Sequence, residues 1–249
     1  MSGPFDLTGR RAIVTGANTG IGQGIALALA QAGAEVVAVG RSSMAETEAA
    51  IAAVSGTCVP YAADLSGMAA VDALVPDVWE RLGPIDILVN NAGIIRRGDA
   101  VDFAESDWDD VMDVNLKTVF MLSQALARRA FAAERPAKII NIASMLSFQG
   151  GIRIVSYTAA KSGLAGLTRI LAHEWAGRGI NVNAIAPGAF ASEMMDGMLS
   201  RMGDITKGFP RQRLGDPAQL DSALLFLVSP ASDAVTGTVI RVDDGQGGR

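Results

Sequence analysis

The stretch Thr15-Gly16-Ala17-Asn18-Thr19-Gly20-Ile21-Gly22 decides how this chain folds. It follows a short β-branched run at residues 11–15, and a helical pattern starts at its end. Glycines let the backbone turn tightly and approach a ligand closely, and a helix N-terminus supplies N–H groups with a partial positive charge. The stretch therefore predicts a strand, a phosphate-binding turn and a helix. By itself this signal is weak, because an ordinary strand-to-helix turn can have the same composition.

Short apolar runs alternate with longer helical patterns along the whole chain. Most runs are apolar at consecutive positions, which is typical of strands buried on both faces of a parallel sheet. The predicted strands are 11–15, 35–39, 58–62, 85–89, 138–142, 180–184 and 238–242, and the predicted helices lie near 21–32, 44–54, 68–82, 106–132, 155–177 and 217–228. The alternation predicts an α/β protein over residues 1–249: a single-domain, doubly wound Rossmann fold with a seven-stranded parallel sheet between helices.

Two predicted helices have recognisable starts. Ser106 followed by Asp109 indicates a capping box, and Asp216 before Pro217 places a capping carboxylate at a helix start. The least regular stretch is about 188–215, and a loop of that length in a compact domain is more often a lid or a binding loop than a spacer. Its methionines could adapt around a ligand or fill gaps in the core; they include Met194, Met195 and Met198.

The composition excludes several functional classes. The chain has 249 residues, 49% of them hydrophobic, so it can bury a large core. A net charge of −5 offers no electrostatic footprint for nucleic acid or an anionic membrane, and no apolar stretch is long enough to predict a membrane span. The first residues have no apolar leader pattern and Cys58 is the single cysteine, so we expect a cytoplasmic protein. His173 is the only histidine, and no metal site is predicted.

Tyr157 and Lys161 lie four residues apart in a predicted helix, so their side chains share one face. A nearby ammonium would lower the pKa of the tyrosine, which could then donate a proton to a carbonyl oxygen or take one from an alcohol. Ser144 follows the fifth predicted strand, at the sheet edge where this fold binds ligands, and could hold the substrate oxygen. A Tyr-x-x-x-Lys pair alone, however, is more often a surface pair than a catalytic one.

Several motifs together resemble the classical short-chain dehydrogenase/reductase family. They are the spacing Gly-x-x-x-Gly-x-Gly at 16–22, Asn90-Asn91-Ala92-Gly93 after the fourth predicted strand, and Pro187-Gly188 after the sixth. The resemblance extends over nearly the whole chain. Two departures are slight: Ser192 stands where many members have threonine, and Asp243-Asp244-Gly245-Gln246 replaces an Asp-Gly-Gly-like turn.

The resemblance implies hydride transfer to or from a nicotinamide. It implies the catalytic residues Asn115, Ser144, Tyr157 and Lys161, where Asn115 would hold a water that links the lysine to solvent. It also implies the following cofactor contacts: Gly16, Asn18, Thr19, Gly20, Ile21, Gly22, Arg41, Ser42, Asp64, Leu65, Asn91, Ala92, Gly93, Tyr157, Lys161, Pro187, Gly188 and Ser192. Members are commonly tetramers built on two long helices, here about 106–132 and 155–177, so we expect a homotetramer.

The end of the second predicted strand bears on the choice between NAD and NADP. An acidic residue there would accept hydrogen bonds from a ribose 2′-hydroxyl and repel a 2′-phosphate. The sequence reads Val39-Gly40-Arg41-Ser42, without an acid. Because a guanidinium can pair with a phosphate through two N–H groups, we expect NADP to be favoured over NAD, with Arg41 and Ser42 on the phosphate. The alternative is that Arg41 stacks on the adenine and NAD is used equally well or better.

Longer stretches resemble one subgroup of the family. They are residues 91–97 (Asn-Ala-Gly-Ile-Ile-Arg-Arg), 108–112 and 139–153. The subgroup contains 2-deoxy-gluconate 3-dehydrogenases, also described as 2-dehydro-3-deoxy-gluconate 5-dehydrogenases, and gluconate 5-dehydrogenases are close to it. The resemblance implies that a secondary alcohol and a ketone are interconverted on a six-carbon sugar acid.

A sugar acid carries a carboxylate, for which arginine is a suitable partner. Arg96, Arg97 and Arg153 follow two strands at the predicted active edge, so at least one could face the substrate. The alternative is that they are solvated or pair with acids such as Asp99 and Glu105. The candidate substrate-binding residues are Arg96, Ser144, Gln149, Arg153 and Tyr157.

Two other functions remain open at this point. One is a reductase of another carbonyl, such as a 3-ketoacyl thioester, and the other is a non-catalytic, dinucleotide-binding redox sensor. The complete set of four catalytic positions argues against the sensor. The arginine-containing stretches favour a sugar acid, and the acidic composition offers no docking patch for an acidic carrier protein.

Overall fold

The structure is a computed structural model that describes residues 3–192, 195 and 203–247. Its strands are β1 (Arg11–Thr15), β2 (Glu35–Gly40), β3 (Thr57–Ala62), β4 (Ile87–Asn90), β5 (Ala137–Ile142), β6 (Ile180–Pro187) and β7 (Val239–Val242). They pair in parallel in the order β3-β2-β1-β4-β5-β6-β7 and form one seven-stranded sheet. The predicted fold class is confirmed, and the strand ends differ from the prediction by three residues or fewer.

Helices cover both faces of the sheet. They are α1 (Gly20–Gln31), α2 (Ala45–Ala53), α3 (Met68–Leu82), α4 (Glu105–Met112), α5 (Thr118–Ala132), α6 (Val155–Trp175) and α7 (Asp221–Val228). On one face, α1 and α7 pack against the sheet with Leu29 and Leu224. On the other face, α3 and α5 do the same with Leu74 and Leu122. The chain is thus doubly wound, as the alternation of strands and helices predicted.

The apolar runs of the sequence supply both halves of the core. Within β1, Val14 belongs to the cluster on one face and Ile13 to the cluster on the other, because side chains alternate along a strand. The edge strand β3 is largely half-exposed, which explains how it tolerates Pro60. Cys58 in the same strand is also half-buried, so it lies at the margin of the core rather than inside it.

The two predicted helix starts have different outcomes. The Asp216 carboxylate accepts a hydrogen bond from the Ala218 N–H at 2.9 Å, and the Gln219 side-chain oxygen accepts one from the Asp216 N–H at 2.9 Å, which confirms a cap there. A single 3₁₀ turn (Pro217–Leu220) then leads into α7. The capping box at Ser106 was wrong, because α4 begins at Glu105 with Ala104 in the capping position.

The predicted helix over 106–132 is divided in the structure. A π-helical turn at Asp113–Lys117 separates α4 from α5. No helix within the described ranges has both the length and the apolar character that crossing a membrane requires.

Replacing Asp216 by Ala is expected to lower the free energy of unfolding by about 1 kcal/mol, because the Ala218 N–H loses its acceptor. Urea unfolding followed by circular dichroism measures the change. The matched control is Ser106→Ala, which removes an exposed hydroxyl that does not cap α4 and should change stability by less than about 0.5 kcal/mol. Equal losses in the two variants would contradict this interpretation.

Candidate active site

A cavity of about 600 Å³ opens beside β1 and β4, where the order of the strands reverses. In open α/β sheets, ligands bind at the carboxyl ends of the strands at such a reversal. The wall contains nearly all predicted cofactor contacts: Gly16, Asn18, Thr19, Gly20, Ile21, Gly22, Arg41, Asp64, Leu65, Asn91, Ala92, Gly93, Tyr157, Lys161, Pro187, Gly188 and Ser192. Ser42 is not part of the wall, but its hydroxyl accepts a hydrogen bond from Asn18 at 2.9 Å.

The glycine turn is held against the end of β4. The Asn91 side-chain amide donates to the carbonyl oxygens of Thr15 and Gly16, at 2.9 and 3.1 Å. Gly16 has φ +65°, which favours glycine, and a Cβ on Gly22 would collide with the Gly16 carbonyl group. Because α1 begins at Gly20, its unpaired first-turn N–H groups and its partial positive charge lie at the cavity.

Charged and polar side chains mark one end of the cavity. Hydrogen bonds from the Ser66 backbone and hydroxyl hold the pKa of Asp64 below its usual value, and the positive charge of Arg41 adds to this effect. Arg41 is exposed and lines the cavity, so its guanidinium can meet a ligand here. A Cβ on Gly40 would collide with the end of the Met44 side chain, so the end of β2 lies tightly against the segment that follows it.

Tyr157 and Lys161 line the other end of the cavity, and Ser144 lies beside Tyr157 without being part of the wall. Tyr157 shares a hydrogen bond with the Ser144 hydroxyl. The Lys161 side chain is 4% exposed, its Nζ lies 5.7 Å from the centre of the Tyr157 ring, and the ammonium donates to the Ile142 carbonyl oxygen at 2.7 Å. The start of α6 and the end of β5 therefore bring together the three residues that the sequence predicted to act together.

The protonation of this cluster differs from the expectation. Burial raises the pKa of Tyr157 above its ordinary value, and the hydrogen bond with Ser144 and the positive charge of Arg97 only partly oppose it. The predicted net lowering of the Tyr157 pKa was therefore wrong for the protein alone, because loss of hydration outweighs the interactions that stabilise the phenolate. Burial also lowers the pKa of Lys161 to about 8. Both residues thus resist the charged form in this environment.

Asn115 lies in the π-helical turn and is fully buried. Its side-chain oxygen accepts from the Ile94 N–H, and its amide donates to the Ile94 carbonyl oxygen, both at 2.8 Å. A Cβ on Gly93 would lie 3.0 Å from the Asn115 oxygen and 3.8 Å from Lys161 Nζ. Asn115 therefore lies directly behind the cavity wall and close to Lys161.

The predicted substrate-binding residues are placed differently from one another. Arg96 lines the cavity but pairs with Asp107 and Asp110, at 3.3 and 3.0 Å. Arg153 is exposed and pairs with Asp99 at 3.3 Å, which is the alternative that the sequence left open. Neither Arg153 nor Gln149 is part of the cavity wall.

The wall also contains residues outside the candidate set, among them Ile94, Ile142 and Phe190. Arg97 is one of the three arginines that the sequence offered as substrate contacts; it is not part of the wall, but its positive charge acts on the Tyr157 hydroxyl. Phe190 lies three residues after Pro187, within the predicted substrate loop, and lines the cavity. Met194 and Met198 lie outside the described residues, whereas the Met195 N–H bonds to the Ser192 carbonyl oxygen. The extents of the domain (1–249) and of the substrate loop (188–215) stay predictions.

Within the ranges given above, no three side chains of His, Cys, Asp or Glu are arranged to hold a metal ion. His173 is exposed on α6.

Three features together define a dinucleotide-dependent oxidoreductase. They are the doubly wound sheet, the glycine turn where the strand order reverses, and the Ser-Tyr-Lys cluster at the other end of the same cavity. Residues 16–246 match the family model described as enoyl-(acyl carrier protein) reductase. The chain belongs to the short-chain dehydrogenase/reductase family, which confirms the family that the motifs predicted.

Similar proteins match this chain over nearly its whole length. The 2-dehydro-3-deoxy-D-gluconate 5-dehydrogenase of Escherichia coli is 49% identical over 244 residues, which are 97% of this chain and 96% of the relative. A crystal structure from Agrobacterium tumefaciens with bound NADP has a TM-score of 0.92 and 49% identity, and the match covers 99% of both chains. The gluconate 5-dehydrogenase of Burkholderia cenocepacia, in complex with NADP and tartrate, has a TM-score of 0.90 and 36% identity, covering 99% of this chain and 98% of that one.

Replacing Gly22 by Ala is expected to weaken NADPH binding at least about tenfold, because the added Cβ would push α1 away from the Gly16 carbonyl group. Fluorescence titration with NADPH measures the change. Gly166→Ala is the control, since its Cβ would have only the Arg169 side chain nearby, at 3.9 Å, and a helical alanine should stabilise the fold slightly. Unchanged NADPH affinity in the Gly22 variant would refute the role of this close contact.

Proposed function

We propose that this protein interconverts a secondary alcohol and a ketone on a six-carbon sugar acid, with NADP as the favoured cofactor. The observation that carries the proposal is the cavity whose wall contains Tyr157, Lys161 and the guanidinium of Arg96; the positive charge of Arg97, which is not part of the wall, also acts on Tyr157. A guanidinium close to the proton-transferring group can hold the carboxylate of a small acid within the same cavity. Two relatives named for gluconate-type substrates support this substrate class, and one of them was crystallised with tartrate, a dicarboxylate.

The cavity suits a nicotinamide dinucleotide. Its wall includes Arg41 and the glycine turn at one end and Tyr157 and Lys161 at the other, so one extended ligand can reach both ends. When bound, the nicotinamide supplies or accepts the hydride. In this proposal Arg41 and Ser42 bind the 2′-phosphate, and α1 faces the pyrophosphate with its N–H groups. The structures of two relatives with bound NADP support the choice of cofactor.

The chain's own residues move and hold the proton. In reduction, Tyr157 donates its hydroxyl proton to the carbonyl oxygen, and in oxidation it takes the proton of the alcohol. The Ser144 hydroxyl, which shares a hydrogen bond with Tyr157, holds the same oxygen as charge develops on it. The Lys161 ammonium stabilises the phenolate that remains after proton donation. In this proposal Asn115, whose side chain is held by the Ile94 backbone close to Lys161, places a water that connects the lysine with solvent.

We also propose that the enzyme is a cytoplasmic homotetramer. An apolar groove runs along the two helical segments predicted to form the interface; its lining includes Met112, Leu116, Phe120, Gly163 and Leu167. Burying such a groove against a second copy would stabilise the assembly, since obligate interfaces are rich in apolar contacts. A mass in solution of four chains would support the tetramer, and a mass of one chain would contradict it.

The substrate class is tested by initial rates of NADPH oxidation with a panel of keto acids, including 5-keto-gluconate and 2-keto-3-deoxy sugar acids. We expect at least about a hundredfold higher kcat/KM for one sugar acid than for fructose, which has a ketone and hydroxyls but no carboxylate. An acetoacetyl thioester tests the alternative carbonyl. Tyr157→Phe should reduce the best rate to background, and a thioester preferred over every sugar acid would overturn the proposal.

The proposed role of Arg97 as a partner of the substrate carboxylate is tested with a matched pair of variants. Arg97→Gln should raise KM for the sugar acid about tenfold or more, because the carboxylate loses a charged partner near Tyr157. Arg153→Gln removes a guanidinium in an exposed ion pair and should leave KM within about twofold. A larger effect from Arg153 than from Arg97 would contradict the proposed position of the carboxylate.

Arg41→Ala is expected to lower kcat/KM with NADPH about tenfold to a hundredfold, because charge-assisted hydrogen bonds to the 2′-phosphate are lost. The value with NADH should change by less than about threefold. The control is Arg128→Ala, which removes an exposed arginine from α5. Equal losses with both cofactors would instead indicate that Arg41 stacks on the adenine.

The raised pKa of Tyr157 predicts opposite pH profiles for the two directions. Reduction needs the neutral phenol, so its rate should be nearly constant from about pH 6 to 8. Oxidation needs the phenolate, so its rate should rise up to about tenfold per pH unit and continue rising above pH 8. Steady-state rates with Tyr157→Phe as background measure both profiles. An oxidation rate that levels off below pH 7 would refute the raised pKa.

A further inference from the structure

Residues 243–247, here called the β7 turn, follow the last strand of the sheet. The Asp243 carboxylate accepts hydrogen bonds from the N–H groups of Gly245 and Gly247, at 3.0 and 3.1 Å, and the Asp243 carbonyl oxygen accepts from the Gln246 N–H at 2.9 Å. Gln246 is a polar residue that is only 7% exposed, and it is not part of the cavity wall. A buried amide needs partners, so its position requires an explanation.

The Gln246 side chain binds the backbone directly behind the cavity. Its oxygen accepts a hydrogen bond from the Ala189 N–H at 2.9 Å. A Cβ on Gly188 would lie 2.8 Å from this oxygen and 2.9 Å from the Asp243 Cα, so the β7 turn packs tightly on the chain just after β6. Pro187 and Gly188 line the cavity on the opposite side of this contact.

The same backbone is fixed from a second direction. Gly215 pairs with Phe190, which lines the cavity: the Gly215 N–H donates to the Ala189 carbonyl oxygen, and the Ala191 N–H donates to the Gly215 carbonyl oxygen, both at 2.9 Å. The segment before Gly215 is itself tied to the β7 turn, because Arg213 forms an ion pair with Asp244 at 2.9 Å. The β7 turn therefore holds both the wall beyond β6 and the segment that pairs with it.

We propose that Gln246 is a positioning residue that fixes the wall at residues 187–190 for the nicotinamide half of the cofactor. It acts through the Ala189 backbone and touches neither cofactor nor substrate. Without the side-chain oxygen, the buried Ala189 N–H lacks an acceptor, and the wall must shift to reach water. The adenine half of the site, around Arg41 and Asp64, lies at the other end of the cavity, so we expect its affinity for a ligand to be independent of this contact.

The test compares whole-cofactor and half-cofactor binding in the full-length protein. Gln246→Met keeps the length of the side chain but removes the acceptor, and we expect the Kd for NADPH to rise about tenfold. The Kd for 2′,5′-ADP, which occupies only the adenine half, should stay within about twofold. Gln246→Glu keeps an acceptor oxygen at the same distance and should restore NADPH affinity to within about threefold of the wild type.

Gln31→Met, at the exposed end of α1, is the matched control and should change neither Kd. Unchanged NADPH affinity in Gln246→Met would overturn the inference, and so would an equal loss of NADPH and 2′,5′-ADP binding, which general unfolding would cause. Equal losses in the Met and Glu variants would also overturn it, because the hydrogen bond would then not be the cause. The inference rests on the proposed NADP site. If that site were wrong, the wild-type protein itself would not bind NADPH, whereas failure of the inference alone would leave wild-type binding intact.

Discussion

The contact between α1 and the ends of β1 and β4 is the constraint on which the site depends. Neither the Gly16 carbonyl group nor the Asn91 amide that donates to it leaves room for a side chain at Gly22. Because this contact fixes the start of α1 close to the sheet edge, the helix N-terminus lies at the cavity. A longer side chain at Gly22 would separate the helix from the sheet and remove the phosphate-binding geometry.

At the far end of the cavity, burial sets the chemistry. The enclosed position that gives Tyr157 a defined geometry also raises its pKa, and it lowers the pKa of Lys161 to about 8. Below about pH 8 the folded protein holds Lys161 charged in a buried position, which costs stability, and the cost is relieved as the pH rises from that value toward the ordinary pKa of 10.5. Such a cost is common at sites where function needs a group that the fold would otherwise exclude. The local positive charge of Arg97 partly offsets the effect on Tyr157.

The part of the cavity wall at residues 187–190 is held in place by hydrogen bonds from other segments of the chain. The backbone after β6 is irregular, so its N–H and C=O groups need partners from elsewhere in the chain. Gln246 and Gly215 supply them from two segments that are distant in sequence. Residues that never touch a ligand can in this way set how well the site is formed.

The sequence by itself determined the fold class, the strand positions and the glycine turn, because these depend on local patterns: consecutive apolar residues in strands and glycines at fixed spacing. It also placed Ser144, Tyr157 and Lys161 together, since i and i+4 share a helix face and strand ends meet at one edge. Only the tertiary structure decided the π-helical turn at Asn115, the ion pairs of Arg96 and Arg153, and the direction of the Tyr157 pKa shift. Those features depend on burial and on partners distant in sequence, and a local pattern contains no information about either.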